Sequence, residues 1–111
     1  MEEQEIVLCA ASAYERKFYL NELFQGLPAR VKDELKIMCA LFTEDVGGIL
    51  ELVYNEDGEL EFRTSADEAD YLYDEIGSVL KVKELQRTKS ELLESLQIFY
   101  KVLVLGEFEE E

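Results

Sequence analysis

Histidine is missing from this 111-residue chain. With it go the usual general base near neutral pH, the commonest transition-metal ligand and every Ser-His or Cys-His nucleophile pair. Neither G-x-x-x-x-G-K nor G-x-G-x-x-G occurs, so both glycine-rich phosphate cradles are absent and a nucleotide enzyme is disfavoured. Bases are scarce, 11 against 26 acids for a formal charge of −15. Such a field repels nucleic acid and anionic lipid, and draws in cations and basic partners. Two cysteines, Cys9 and Cys39, are too few for a disulfide framework, and both sit among apolar neighbours as small core residues do in a reducing interior. No run of about 18 uncharged apolar residues occurs, and the opening MEEQEIVLCA has no basic flank. The expectation is therefore a cytoplasmic protein with no membrane anchor.

A single proline and a 48% apolar share, with six Tyr and six Phe, point to a folded globule rather than a disordered chain. The length suits one domain, residues 1–111, with 106–111 expected as a frayed acidic tail. EIVLCAASAYERKFYL, residues 5–20, reads as a hairpin turning at Ser12 to Glu15, with an amphipathic helix as the open alternative. Gly26-Leu27-Pro28 then stops the chain and starts a helix with Pro28 at its first position. Val31, Leu35, Met38 and Phe42 supply its stripe, widened by Ile37 and Leu41, and the helix is expected to end near Thr43 before Gly47-Gly48.

Residues 49–65 read as a second hairpin. A two-residue Asp57-Gly58 turn mixes the faces, whereas a three-residue loop, Glu56 to Gly58, sets Tyr54 against Leu60 and Leu52 against Phe62 and makes one face apolar. Ser65-Ala66-Asp67-Glu68 has the form of a capping box and predicts a helix start there, with Ala69, Leu72, Tyr73, Ile76, Val79 and Leu80 on its inner side and a kink at Gly77-Ser78. From Val82 onward, Leu85, Leu92, Leu93, Leu96, Phe99, Tyr100 and Leu103 form the stripe of one helix of about six turns, interrupted by Lys89, whose ammonium either snorkels to water or meets a carboxylate. The fold class expected is a small α+β domain, two antiparallel hairpins packed against a central helix and a long C-terminal helical region.

Carboxylates are the remaining source of chemistry, able to hold a hard cation or to form an acid/base pair. Asp67, Asp70 and Asp74 fall on one side of their expected helix, opposite Leu72, Ile76 and Val79, and read as a solvated face. Glu44 and Asp45, in TEDVGG, fall where the central helix is expected to stop. They read as a polar connection, or as an exposed loop that meets a cation or a partner's Lys or Arg. They are the weak metal candidates, and no catalytic residue or cofactor is assigned. Charge is uneven: residues 44–75 hold twelve acids and one base, whereas 81–101 hold Lys81, Lys83, Arg87, Lys89 and Lys101 against three acids. That basic stretch pairs with the acidic part of its own chain or with that of a second copy.

LCAASAYE (8–15), LPARVKDELKIMCALFTEDVGGIL (27–50) and YDEIGSVLK (73–81) resemble a family of short acidic proteins of clostridial-type anaerobic bacteria, classed as a domain of unknown function. The resemblance spans almost the whole chain and implies bacterial origin and a cytoplasmic location, with no substrate and no catalytic residues. The expected function is a non-enzymatic interaction or regulatory protein, with Glu44, Asp45, Asp67, Asp70, Asp74, Leu92, Leu96, Phe99 and Leu103 as candidate interaction residues. The candidate partners are a second copy of the chain and a basic protein, with no nucleic acid and no membrane. The alternative is a carboxylate-based divalent-cation-binding protein, an enzyme included.

Overall fold

The computed structural model describes residues 5–103 and Gly106, apart from the side chain of Leu103. Of the expected frayed tail, all but Gly106 lies outside the described residues. The 5–20 segment is a hairpin: β1 (Ile6–Ser12) and β2 (Lys17–Leu20) pair antiparallel, Ala11 facing Phe18. Its turn closes through the Arg16 N–H, which donates to the Ser12 carbonyl at 2.8 Å. The Ser12 hydroxyl accepts from the N–H groups of Tyr14 and Glu15. β3 (Ile49–Tyr54) and β4 (Leu60–Ser65) form the second hairpin in the expected register, Tyr54 facing Leu60 and Leu52 facing Phe62, with Gly58 left-handed at φ 82°. The hairpins join through β1 and β3 into one antiparallel sheet ordered β2-β1-β3-β4.

β1 carries a bulge between Val7 and Cys9, so that Leu8 has no partner of its own on β3. This lets two successive residues, Leu8 and Cys9, both enter the core, where strict alternation buries one of them. Cys9 and Cys39 are buried free thiols with their sulfurs 3.8 Å apart, the core role expected of them. The contact with Cys39, and burial, push the Cys9 thiol well above its ordinary pKa.

α1 (Ala29–Val46) lies across the sheet and buries Leu35, Met38, Cys39, Phe42 and Val46. Pro28 is the residue before the first helical one, in extended conformation at ψ 145°, one position earlier than expected. The helix also runs one turn past Thr43, through Glu44 and Asp45. Val46 adds a further buried residue to its stripe, and only at Gly47, with φ 83°, does the backbone leave the helical region.

No helix begins at Ser65, which remains in β4 and pairs with Ile49. The carboxylates of Asp67 and Asp70 instead accept the N–H groups of Ala69 and Leu72, each at 3.0 Å, side-chain bonds that compete with helix formation. The helix starts nine residues later, as α2 (Glu75–Thr88), capped by Asp74, whose carboxylate accepts the Gly77 N–H at 2.8 Å. Gly77 and Ser78 thus lie in its first turn and mark no kink. The long C-terminal helix is broken: Lys89 leaves helical geometry at φ −110° and ψ 23°, and α3 (Ser90–Leu103) follows. Lys89 reaches the Glu34 carboxylate on α1 at 3.2 Å, which gives it a carboxylate partner within the chain.

The break turns the stripe of α3 onto the sheet. Tyr54 and Tyr100 stack at 4.1 Å between centroids with Phe24 beside them, and the Tyr54 hydroxyl donates to the Leu96 carbonyl at 2.8 Å. The result is a two-layer α+β fold around one hydrophobic cluster. Among the described residues no helix is long and apolar enough to cross a membrane.

Candidate interaction surface

The connection from β4 to α2, residues 66–74, has no regular structure, yet its base is tied down at several points. The Tyr14 hydroxyl donates to the Asp70 carboxylate at 2.6 Å and accepts the Asp67 N–H at 2.9 Å, joining the connection to the turn of the first hairpin. The bond to Asp70 raises the Tyr14 pKa above its ordinary value. The Asp74 N–H donates to the Val46 carbonyl at 3.2 Å, and the Tyr73 hydroxyl donates to Ser78, a buried serine at the start of α2. The Tyr73 ring lies over Gly48, where a Cβ would stand 2.7 Å from its Cε1 and 2.5 Å from the Ser65 carbonyl oxygen. The glycines of TEDVGG therefore provide the flat seat on which this connection rests.

On that anchored base, Tyr71 and Leu72 project into solvent, 93% and 92% exposed. Ile76, Val79 and Leu80, at helical spacing on α2, are exposed beside them in sequence, and Ile37 and Leu41 are exposed on α1. α1 and α2 enclose a groove of about 440 Å³ with Ile37, Met38, Leu41 and Leu85 on its walls and Arg30, Asp33, Glu34, Lys81 and Lys89 around it. Single exposed apolar residues are ordinary, but so many large ones gathered on neighbouring elements are characteristic of a surface that meets another molecule. Asp67, Glu68, Asp70, Asp74 and Glu75 flank Tyr71 and Leu72 in sequence.

The candidate acids do not converge. Asp45 in the last turn of α1 pairs with Lys81 on α2 at 3.1 Å, and Lys81 also approaches Glu84 at 3.6 Å. These bonds, Asp45 first, raise the Lys81 pKa; of the pairs made by the basic stretch, Lys81–Asp45 reaches the acidic part of the chain, and Lys89–Glu34 ties the stretch to α1 outside that part. Glu44, one residue earlier, lines a different cleft, whose lining also includes Lys36 two helical turns away. Asp67, Asp70 and Asp74 are each engaged in a turn or a cap rather than ranged along one helical face. No group of three or more His, Cys, Asp or Glu placed to hold a metal occurs among the described residues. Of the α3 candidates, Leu92 and Leu96 are buried in the chain's own core and Phe99 packs against Phe24 at 6.0 Å. The side chain of Leu103 lies outside the described residues.

The model of a family of unknown function, DUF6145, matches residues 5–108. The chain belongs to this family. No curated protein and no solved structure matches it. For this DUF6145 member, functional inference therefore starts from the surface. Sequence reasoning placed Leu72, Ile76, Val79 and Leu80 on the inner side of a helix. The signal against that placement is the recurrence of aspartate at 67, 70 and 74, since a short carboxylate that bonds its own backbone favours turns and caps over helix interiors.

Proposed function

We propose that the chain is a non-enzymatic interaction protein that docks through Tyr71, Leu72, Ile76, Val79 and Leu80. The observation that carries this reading is the near-complete exposure of Tyr71 and Leu72 on a connection whose base is hydrogen-bonded to two other parts of the fold. Leaving apolar surface in water costs roughly 25 cal/mol per Å², and a large aromatic on a pre-positioned backbone loses little freedom when it docks. The nearby carboxylates, Asp67, Glu68, Asp70, Asp74 and Glu75, select a partner whose apolar patch is edged by Lys or Arg, and they speed its approach.

A second copy of the chain is the other arrangement this surface supports. Two identical patches meeting across a two-fold axis bring these carboxylates towards one another, so self-association strengthens as salt screens them. Binding to a basic protein weakens under the same change. A photo-reactive phenylalanine at position 71, with position 57 on the β3–β4 turn as control, tests the proposal in cells and with pure protein at low and high salt. The expected result is discrete adducts from position 71 that Leu72→Ser and Ile76→Ser abolish, either hetero-adducts that fall with salt or a dimer that grows with it. Equal yields from positions 71 and 57 would overturn the reading.

A further inference from the structure

A cleft of about 510 Å³ opens on the other side of α1, where the helix and the inner face of the first hairpin diverge toward the edge strand β2. Its size falls in the roughly 300–1,000 Å³ range of small-molecule sites. Ala11, Ala13 and Ala40 line it with short side chains that leave the space open, and Phe18 contributes a half-buried aromatic ring. Three cationic residues line it from three places: Arg16 in the hairpin turn, Lys17 at the start of β2 and Lys36 on α1. Among the described residues none of the three is in an ion pair, whereas Arg63, Lys81 and Lys89 all are. These three cations stand around one cleft whose lining holds a single carboxylate, Glu44.

The neutral hydroxyls at the cleft are partly engaged: among the described residues the Ser12 O–H remains free to donate. Thr43 donates to the carbonyls of Cys39 and Ala40, and Ser12 accepts two backbone N–H groups. The charged groups at the cleft are the three cations and Glu44, which stands two helical turns from Lys36 on the same stripe as Ala40, about 12 Å along the axis at 1.5 Å per residue. A divalent cation is a poor occupant, since Glu44 is the one carboxylate lining the cleft and three positive charges surround it. Arg16 is also the one non-glycine residue with positive φ among the described residues, at 55°, a conformation glycine or asparagine adopts more readily. Its guanidinium presents a planar fork of donors that matches a phosphate better than any uncharged turn residue does.

We propose that this cleft binds a phosphate monoester joined to a flat aromatic body. The dianion is held by Arg16, Lys17 and Lys36, the ring lies against Phe18 and the alanines, and Glu44 accepts an N–H or O–H from the ligand. Three cations favour a dianionic phosphate over a single carboxylate, and the aromatic and alanine lining favours an attached ring over the free ion.

The test is an amide-resolved NMR titration of the whole chain with AMP, phenyl phosphate, inorganic phosphate and adenosine. AMP and phenyl phosphate are expected to move the signals of Ala13, Arg16 to Phe18 and Ala40 saturably. Inorganic phosphate should bind at least tenfold more weakly and adenosine should leave these signals in place. Arg16→Gly, which suits the left-handed backbone better than arginine and so preserves the fold, and Lys36→Glu should each weaken AMP at least tenfold. Tyr71→Ser should leave AMP binding unchanged, which separates this site from the proposed docking surface. The absence of saturable shifts at the cleft with AMP and phenyl phosphate at millimolar concentration would overturn the proposal, as would undiminished binding to both cleft variants.

Discussion

The apolar residues of α2 and α3 are alike in type and in their three-to-four-residue spacing, yet the two helices use them in opposite ways. On α3, Leu92, Leu96 and Tyr100 are buried against the sheet, with Leu96 1% exposed, whereas on the first half of α2 Ile76 is 74% exposed and Val79 and Leu80 also face water. An apolar stripe thus identifies a helix that must meet something, but not what it meets. The difference arises at Lys89, where the break between the helices and the ion pair to Glu34 allow α3 to turn onto the sheet while α2 is held at the rim of α1 by Lys81 and Asp45.

Truncation breaks or sharpens this contrast most directly. Leu96→Ala should lower stability by about 2–5 kcal/mol, because it opens a cavity in the hydrophobic core. Leu80→Ala should change it by no more than about 0.5 kcal/mol. Urea unfolding of both variants checks the pair, and a cost at Leu80 comparable to that at Leu96 would show that α2 is packed rather than offered. A smaller effect is expected from Gly48→Ala, which combines a left-handed backbone with the approach to Tyr73 and the Ser65 carbonyl, and should cost about 1–3 kcal/mol. Gly26→Ala, with nothing within 4 Å of the added carbon, should stay near neutral in the same urea-unfolding measurement. Hydrogen exchange on Gly48→Ala should also show residues 66–74 released from their seat while the α3 amides stay protected.

The smallest effect concerns charge on the outer face of the sheet, far from both stripes. Arg63 bonds Glu5 and Glu61, both at the surface. Its hydrogen bond holds the Glu5 carboxyl below its ordinary value, and bonds from Asn55 and then Arg63 do the same for Glu61. A depressed folded-state pKa means stabilisation that is complete above the ordinary value near 4.5 and is lost as pH falls through the lower, folded value. Arg63→Gln should therefore lower the neutral plateau of the stability curve slightly and flatten its acid limb below about pH 4.5, so that variant and parent converge in acid. An acid limb identical to that of the parent chain would show that the cluster contributes nothing.

Much of the frame is legible in local sequence. Gly58 at a left-handed position, together with alternating apolar residues, sets the register of β3 against β4, and the Pro28 and Gly47-Gly48 boundaries place α1 within a few residues. Cys9 and Cys39 are recognisable as core residues from their neighbours alone. The features that matter for function are less legible. The S-x-x-E pattern at Ser65 is a sound helix signal in isolation, but Ser65 is claimed by the ladder with Ile49, and Asp67 and Asp70 turn their carboxylates onto the following backbone. Of the three cations of the cleft, Arg16 and Lys17 are neighbours in sequence and Lys36 follows about twenty residues later, and only the packing of the hairpin beside α1 brings Lys36 to the same cleft.

By itself the sequence determined the α+β class, the second hairpin, the central helix and the exclusion of histidine-based chemistry, because these depend on side-chain period, turn residues and composition, which are local or additive properties, while residues 5–20 stayed open between hairpin and helix. The tertiary structure decided the bulge that buries Leu8 beside Cys9, the break at Lys89, the seat that TEDVGG offers to Tyr73 and the face of α2 left in water. Each of these turns on competition between distant groups for one partner, and local periodicity carries no record of which group prevails.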